Sequence, residues 1–141
     1  MHVLKKYILI AVASLALAAC SKPQYQKTIE LYLQTNLHDP KSYENVEMDT
    51  PKKVTLMTQM LEQWNDDRAA GKPTFSPDSL SFYIELWART FKDLGEDPYE
   101  VIGWEVDHSY RANNGFGAKV LTHVRYTLNP EQTEIKKVKN L

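Results

Sequence analysis

The period of the hydrophobic pattern changes at Asp97-Pro98, and no other feature narrows the fold as much. Beyond it, Ile102, Trp104, Val106, His108 and Tyr110 alternate with Val101, Gly103, Glu105, Asp107, Ser109 and Arg111. A second run sets Val120, Thr122, Val124, Tyr126 and Leu128 against Leu121, His123, Arg125 and Thr127. Alternation of period two marks a strand with one buried face. Between the runs lies Asn113-Asn114-Gly115-Phe116-Gly117, dense in residues that tolerate positive φ. The pattern predicts a long β-hairpin. A two-residue turn on Asn114-Gly115 would set Trp104 opposite Arg125 and mix the faces. A five-residue loop over 113–117 sets Trp104 against Tyr126, Val106 against Val124 and Ile102 against Leu128. On the other face it sets Glu105 against Arg125 and Asp107 against His123. Burial of a whole face outweighs a local turn preference, so the longer loop is expected. Asn129-Pro130-Glu131-Gln132 reads as a further turn into a last strand, Thr133 to Val138.

Upstream the pattern is helical. Tyr25, Ile29, Tyr32, Leu33 and Leu37 share one face of a first helix. His38-Asp39-Pro40 stops it, because the residue before a proline avoids the α region. Tyr43 to Met48 reads as a short strand. Thr50 as N-cap, with Pro51 in the first helical position, predicts a second helix. Its apolar positions are Val54, Met57, Leu61 and Trp64, and Gly71 ends it. Ser76 and Pro77 start a third, with Leu80, Tyr83, Ile84, Trp87, Phe91 and Leu94 as its stripe before Gly95. Short polar connections make these two helices antiparallel neighbours. The expected class is α+β. An N-terminal helix and the helical pair 51–95 would pack on one face of a small antiparallel sheet, formed by the β-hairpin and the C-terminal strand.

The N-terminus sets the address. Lys5 and Lys6 precede Tyr7 to Ala19, thirteen residues without a charge. This is the layout of a secretory signal peptide. As a helix it reaches only ~20 Å, short of a ~30 Å hydrocarbon core. Leu17-Ala18-Ala19-Cys20 places the chain's one cysteine after a small-residue pair. That arrangement resembles the processing site of bacterial lipoproteins, which implies a signal peptide over 1–19, lipid on Cys20, a tether over 20–24 and a single domain over 25–141. The alternative is ordinary cleavage after Ala19, leaving Cys20 an unpaired thiol. No aspartate follows Cys20 directly; by resemblance to Gram-negative sorting rules this implies the outer membrane, facing the periplasm. Loss of Lys5 and Lys6 leaves 15 basic against 18 acidic side chains, a net charge of −3. Such a balance argues against nucleic acid and against a second, electrostatic membrane contact.

Two motifs stand out. Asp39-Pro40-Lys41-Ser42-Tyr43-Glu44 follows the first helix, and Tyr110-Arg111-Ala112-Asn113-Asn114-Gly115-Phe116-Gly117 joins the two long strands. Together they resemble a class of small bacterial lipoproteins and phage-associated proteins, of uncharacterised function, with a DP-x-S-Y segment and a later R-A-x-N-x-F-G-G turn. This chain departs from the class at Ala118, where the second glycine falls, and in 51–95, which reads as an insertion. The resemblance implies no catalytic or ligand residue. On structural grounds Asp39-Pro40 ends the helix, Ser42 and Tyr43 fix the exit, Asn114, Gly115 and Gly117 supply unusual dihedrals, and Phe116 folds onto the sheet. The functional alternative makes Asn113, Asn114, Gly115, Phe116 and Gly117 a binding loop.

Chemistry is sparse. His38, His108 and His123 show no metal-ligand spacing. Asp107 with His123 offers a cross-strand acid–base pair, while His108 on the apolar face reads as a core histidine. There is no nucleophile elbow and no phosphate-binding glycine loop. Trp64, Tyr83, Trp87, Phe91 and Trp104 fall at core spacing, with a sugar- or peptide-binding groove between helical pair and sheet as the alternative. The expected protein is therefore a lipid-anchored, periplasm-facing binding or assembly-accessory module, without catalytic residues, metal or cofactor. Its partners would be the membrane, through Cys20, and an envelope protein. The rival readings are a protein-interaction subunit of an envelope complex and a small hydrolase.

Overall fold

The computed structural model describes residues 21–141; the signal peptide expected over 1–19 and the lipid site expected at Cys20 lie outside the described residues. In chain order come α1 (Gln24–Asn36), a 3₁₀ turn (Pro40–Ser42), β1 (Glu44–Met48), β2 (Lys52–Val54) and α2 (Leu56–Ala69). A second 3₁₀ turn (Pro77–Ser79) leads into α3 (Leu80–Asp93), followed by β3 (Gly103–Asn113), β4 (Lys119–Leu128) and β5 (Ile135–Asn140). The class is α+β, with an antiparallel sheet in the order β1-β3-β4-β5. β2 lies end to end with β1 on the outer edge of β3.

The hairpin has its five-residue loop, displaced by one residue to Asn114–Ala118. Trp104 therefore faces Leu128, Val106 faces Tyr126 and His108 faces Val124. The expected partners were each one pleat out, so the division into an apolar and a polar face survives while every pair changes. The cause is local. Asn114 Oδ1 accepts from the backbone N–H groups of Phe116 (2.9 Å) and Ala118 (3.1 Å). Asn114 N donates to Ala118 O at 2.9 Å, and Gly117 takes φ +79°. Neither Asn114 nor Gly115 adopts positive φ, so Gly117 alone needs glycine's freedom here.

The second helix starts later than Thr50. Lys52, Lys53 and Val54 pair with Glu105, Trp104 and Gly103 as an edge strand, and Pro51 sits at the break before it. An edge break tolerates a residue without an N–H. Thr55 is the N-cap: its Oγ1 accepts from Thr58 N (3.1 Å), and its own N–H donates to Thr58 Oγ1 (2.8 Å). This reciprocal pair satisfies two orphan donors, which Thr50 could not do. Gly71 (φ +69°) and Gly95 (φ +81°) end α2 and α3 as expected.

The helices divide between the two faces of the sheet, a correction to packing on one. Ile29 and Leu33 of α1 join Val106, Tyr110, Ala112, Val124, Tyr126 and Leu128 in the main core. α2 crosses the charged face, where Glu62 Oε1 lies 3.5 Å from Arg125 Nη1. An apolar stripe can cover only the apolar face, and Trp64 of α2 packs instead into an aromatic stack that reaches α3. There Phe75, from the connection between the helices, stacks on Trp64 (5.2 Å between ring centres) and Tyr83 (3.8 Å), with Trp87 edge-on at 5.6 Å. No residue of α3 is fully buried. Among the described residues, no helix is long and apolar enough to cross a membrane.

Burial decides the stability of this arrangement. Ile29 is 0% exposed and Leu31, two residues on, is 64% exposed. Ile29→Ala should cost about 2–5 kcal/mol in denaturant unfolding, whereas Leu31→Ala should stay within about 0.5 kcal/mol.

Candidate functional site

The two sequence motifs meet in space. Asn113, the last residue of β3, donates its backbone N–H to Ser42 Oγ (2.7 Å) and its side-chain amide to Asp39 Oδ2 (3.0 Å). Ser42 Oγ in turn donates to Asp39 O at 2.7 Å. Tyr43 packs on Tyr110, with ring centres 5.9 Å apart. Glu44 stands opposite Arg111 and forms an ion pair with Lys119, the first residue of β4. The turn after α1 is thereby clipped to the root of the hairpin loop. Asp39 does more than end a helix: it holds Asn113. Only the arrangement in space reveals that link, since Asp39 and Asn113 are 74 residues apart in sequence.

Beside the clip, the end of α1 and the hairpin enclose a groove of about 360 Å³. Leu37, Tyr110, Ala112 and Val120 give it an apolar floor, while His38 and Asn114 are polar groups on its wall. That mixture suits binding of a chain with apolar side groups and a few polar ones. The loop above it carries Phe116, which is 97% exposed. The expectation that Phe116 folds onto the sheet is thus overturned. With Asn114 Oδ1 bonded to its backbone N–H, the ring is presented outward. Of the candidate loop residues, Asn113 and Asn114 line the groove, Phe116 projects from it, and Gly115 and Gly117 shape the turn.

The charged face holds a second concavity of about 340 Å³, between α2 and the sheet. Glu62, Asp66, Glu105, Arg125 and Lys137 contribute to its walls, and no aromatic ring does. Arg125 organises it. Its Nε and Nη2 bond Asp107 at 2.6 and 2.8 Å, and its Nη1 approaches Glu105 (3.7 Å) as well as Glu62. The guanidinium holds the Asp107 carboxyl below its usual range against the opposing effect of burial. Burial, assisted by Glu62, pushes the Glu105 carboxyl up.

The cross-strand pair of Asp107 with His123 does not form. Asp107 faces Arg125, and His123 faces Ser109, whose Oγ lies 2.8 Å from His123 Nδ1. The one-residue displacement of the loop accounts for the exchange. His38 is exposed beside the groove. Among the described residues, no three His, Cys, Asp or Glu side chains stand where they could hold a metal ion.

His108 is a core residue, 2% exposed. Its Nε2 lies 3.1 Å from Asn45 Oδ1 and 3.3 Å from Tyr43 Oη, and its Nδ1 has no hydrogen-bond partner among the described residues. A neutral ring with the proton on Nε2 donates to Asn45 and leaves a bare lone pair at Nδ1. An imidazolium would instead bury an unpaired N–H. Desolvation accordingly lowers the His108 pKa to about 4, against a smaller opposing pull from Glu30. Burial also pushes the Tyr43 phenol up to about 12, so this aromatic cluster is uncharged near neutrality.

Compared with protein families, with curated proteins and with solved structures, the chain finds no match.

The buried imidazole sets a pH dependence. Between its ordinary value of 6.5 and about 4, the unfolded state binds a proton that the folded state does not. The stabilisation is complete above 6.5 and is lost as pH falls toward about 4. Resonances of the His108 ring should titrate with a midpoint about 4, and the denaturation midpoint should decline from pH 6.5 to 5. A ring that titrates at its ordinary value would contradict the assignment.

Proposed function

We propose that this chain is a bacterial lipoprotein, anchored through lipid on Cys20 and facing the periplasm. It acts as a non-catalytic binding or assembly-accessory module whose recognition end is the Asn114–Ala118 loop with its groove. The anchor reading is supported by Lys5 and Lys6, the uncharged run Tyr7 to Ala19 and Leu17-Ala18-Ala19-Cys20. The resemblance of both motifs to a class of small lipoproteins supports it too.

One observation carries the choice of surface: Phe116 is 97% exposed on a loop whose root is clipped by Asp39, Ser42 and Asn113. A large apolar ring held in water on an ordered turn is a cost to the free protein. It becomes favourable when the ring enters a pocket on a partner. The clip has already met the ordering cost of the loop. The catalytic alternative has little to draw on, because Asp107 is occupied by Arg125 and lies out of register with His123.

A second reading places the protein contact on α3. Phe82 and Leu86, one helical turn apart, are 63% and 42% exposed, as a helix in a groove requires.

Capture of the full lipidated chain from detergent-solubilised envelopes discriminates between them. Phe116→Ala should leave stability within about 0.5 kcal/mol and reduce recovery of the partner severalfold, whereas Phe82→Ala should leave recovery unchanged. Loss on Phe82→Ala alone would favour the α3 surface. No partner above background would count against both.

A further inference from the structure

Resting on the lipid anchor proposed above, we infer that the domain stands upright on the bilayer, with the Asn129–Glu134 turn at the lipid and the Asn114–Ala118 loop pointing away. The partner at Phe116 is then a protein reached in the aqueous space, not the bilayer surface.

The direction follows from how α1 lies on the hairpin. Near its start, Thr28 Oγ1 donates to Gln132 O at 2.7 Å. In the middle, Tyr32 meets Tyr126 edge-on at 5.8 Å. At its end, Leu37 borders the groove with Tyr110, Ala112 and Val120. The helix therefore runs from the Asn129–Glu134 turn toward the Asn114–Ala118 loop, in the direction of β3. Three residues, Ser21 to Pro23, separate Cys20 from the first residue of α1. Fully extended they span ~10 Å. β3 has 11 residues, and at ~3.3 Å each a strand of that length covers ~35 Å.

The tether is also held to the helix. Lys22 Nζ donates to both carboxylate oxygens of Glu30, at 2.7 and 2.8 Å. Pro23 has a fixed φ, and its carbonyl accepts from Lys27 N. Both features seat the short linker against the start of α1. The end brought to the lipid is well braced. Trp104 Nε1 donates to Pro130 O at 2.9 Å, and Asn129 Oδ1 accepts from the N–H groups of Thr133 and Glu134. Ile102, exposed just before β3, lies at this same end.

Nitroxide depth measurements test the orientation. The native sulfur of Cys20 is blocked once acylated, so Glu131→Cys and Phe116→Cys each supply one free thiol. The full lipidated chain is placed in phosphatidylethanolamine–phosphatidylglycerol vesicles, and collisions with oxygen and with an aqueous nickel complex are compared. The oxygen-to-nickel ratio should be severalfold higher at 131 than at 116, with 116 equal to a label in free solution. A ratio at 116 as high as that at 131, or both sites fully aqueous, would overturn the orientation. Mass spectrometry of the same material separates the two levels: a bare Cys20 thiol with no vesicle attachment means that the anchor reading has failed and the orientation with it.

Discussion

Asn113 is the joint on which the structure turns. Its two hydrogen bonds, to Ser42 Oγ and to Asp39 Oδ2, tie the segment after α1 to the root of the hairpin loop. Both are partly buried, so losing either partner would leave a polar group unpaired away from water. Everything at that end inherits its position from this joint. The groove has α1 as one wall and the hairpin as the other, and the Asn114–Ala118 loop has a fixed base from which to present Phe116. The ion pair between Glu44 and Lys119 spans the same gap on the outside, where exposure to solvent makes it worth little.

Behind the joint, the sheet is divided by charge. One face is closed by Ile29 and Leu33 and holds even a histidine neutral. The other keeps its carboxylates and Arg125 in contact with water, beneath α2. The helical pair depends on that charged face less than on its own aromatic stack around Phe75. It attaches to the sheet through β2 and through Glu62, and Met57 N donates to Pro98 O (3.0 Å) in the connection between α3 and β3. The main core around Ile29 and Leu33 contains no residue of 51–95.

Much of this was legible in the residues. Period-two alternation identified β3 and β4 and their faces, because a pleat allows only two sides. The stripe Tyr25 to Leu37 identifies α1, and the neighbours of His108 alone place it in the core. Other features were hidden for physical reasons. The loop position depended on Asn114 using its side chain as a substitute backbone acceptor, and that choice moves every cross-strand pair without changing either face. Thr50-Pro51 carries a common helix-start signal. The reciprocal bonds of Thr55 and Thr58 prevailed because residues 52–54 gained a strand partner, which a local signal does not register. Phe75 sits in a connection that reads as polar, and Phe116 reads as a ring that folds onto the sheet, whereas the bonded Asn114 turn holds it in solvent. The joint itself is half visible in the sequence, as two motifs whose contact only the fold creates.

The most direct test of this account is a double-mutant cycle on Asp39 and Asn113, read by denaturant unfolding. If the clip holds the loop, Asp39→Ala and Asn113→Ala should be coupled by about 0.5–3 kcal/mol. Additivity within about 0.3–0.5 kcal/mol would mean that the two residues do not act together, and the case for a fixed recognition end would fall with that result.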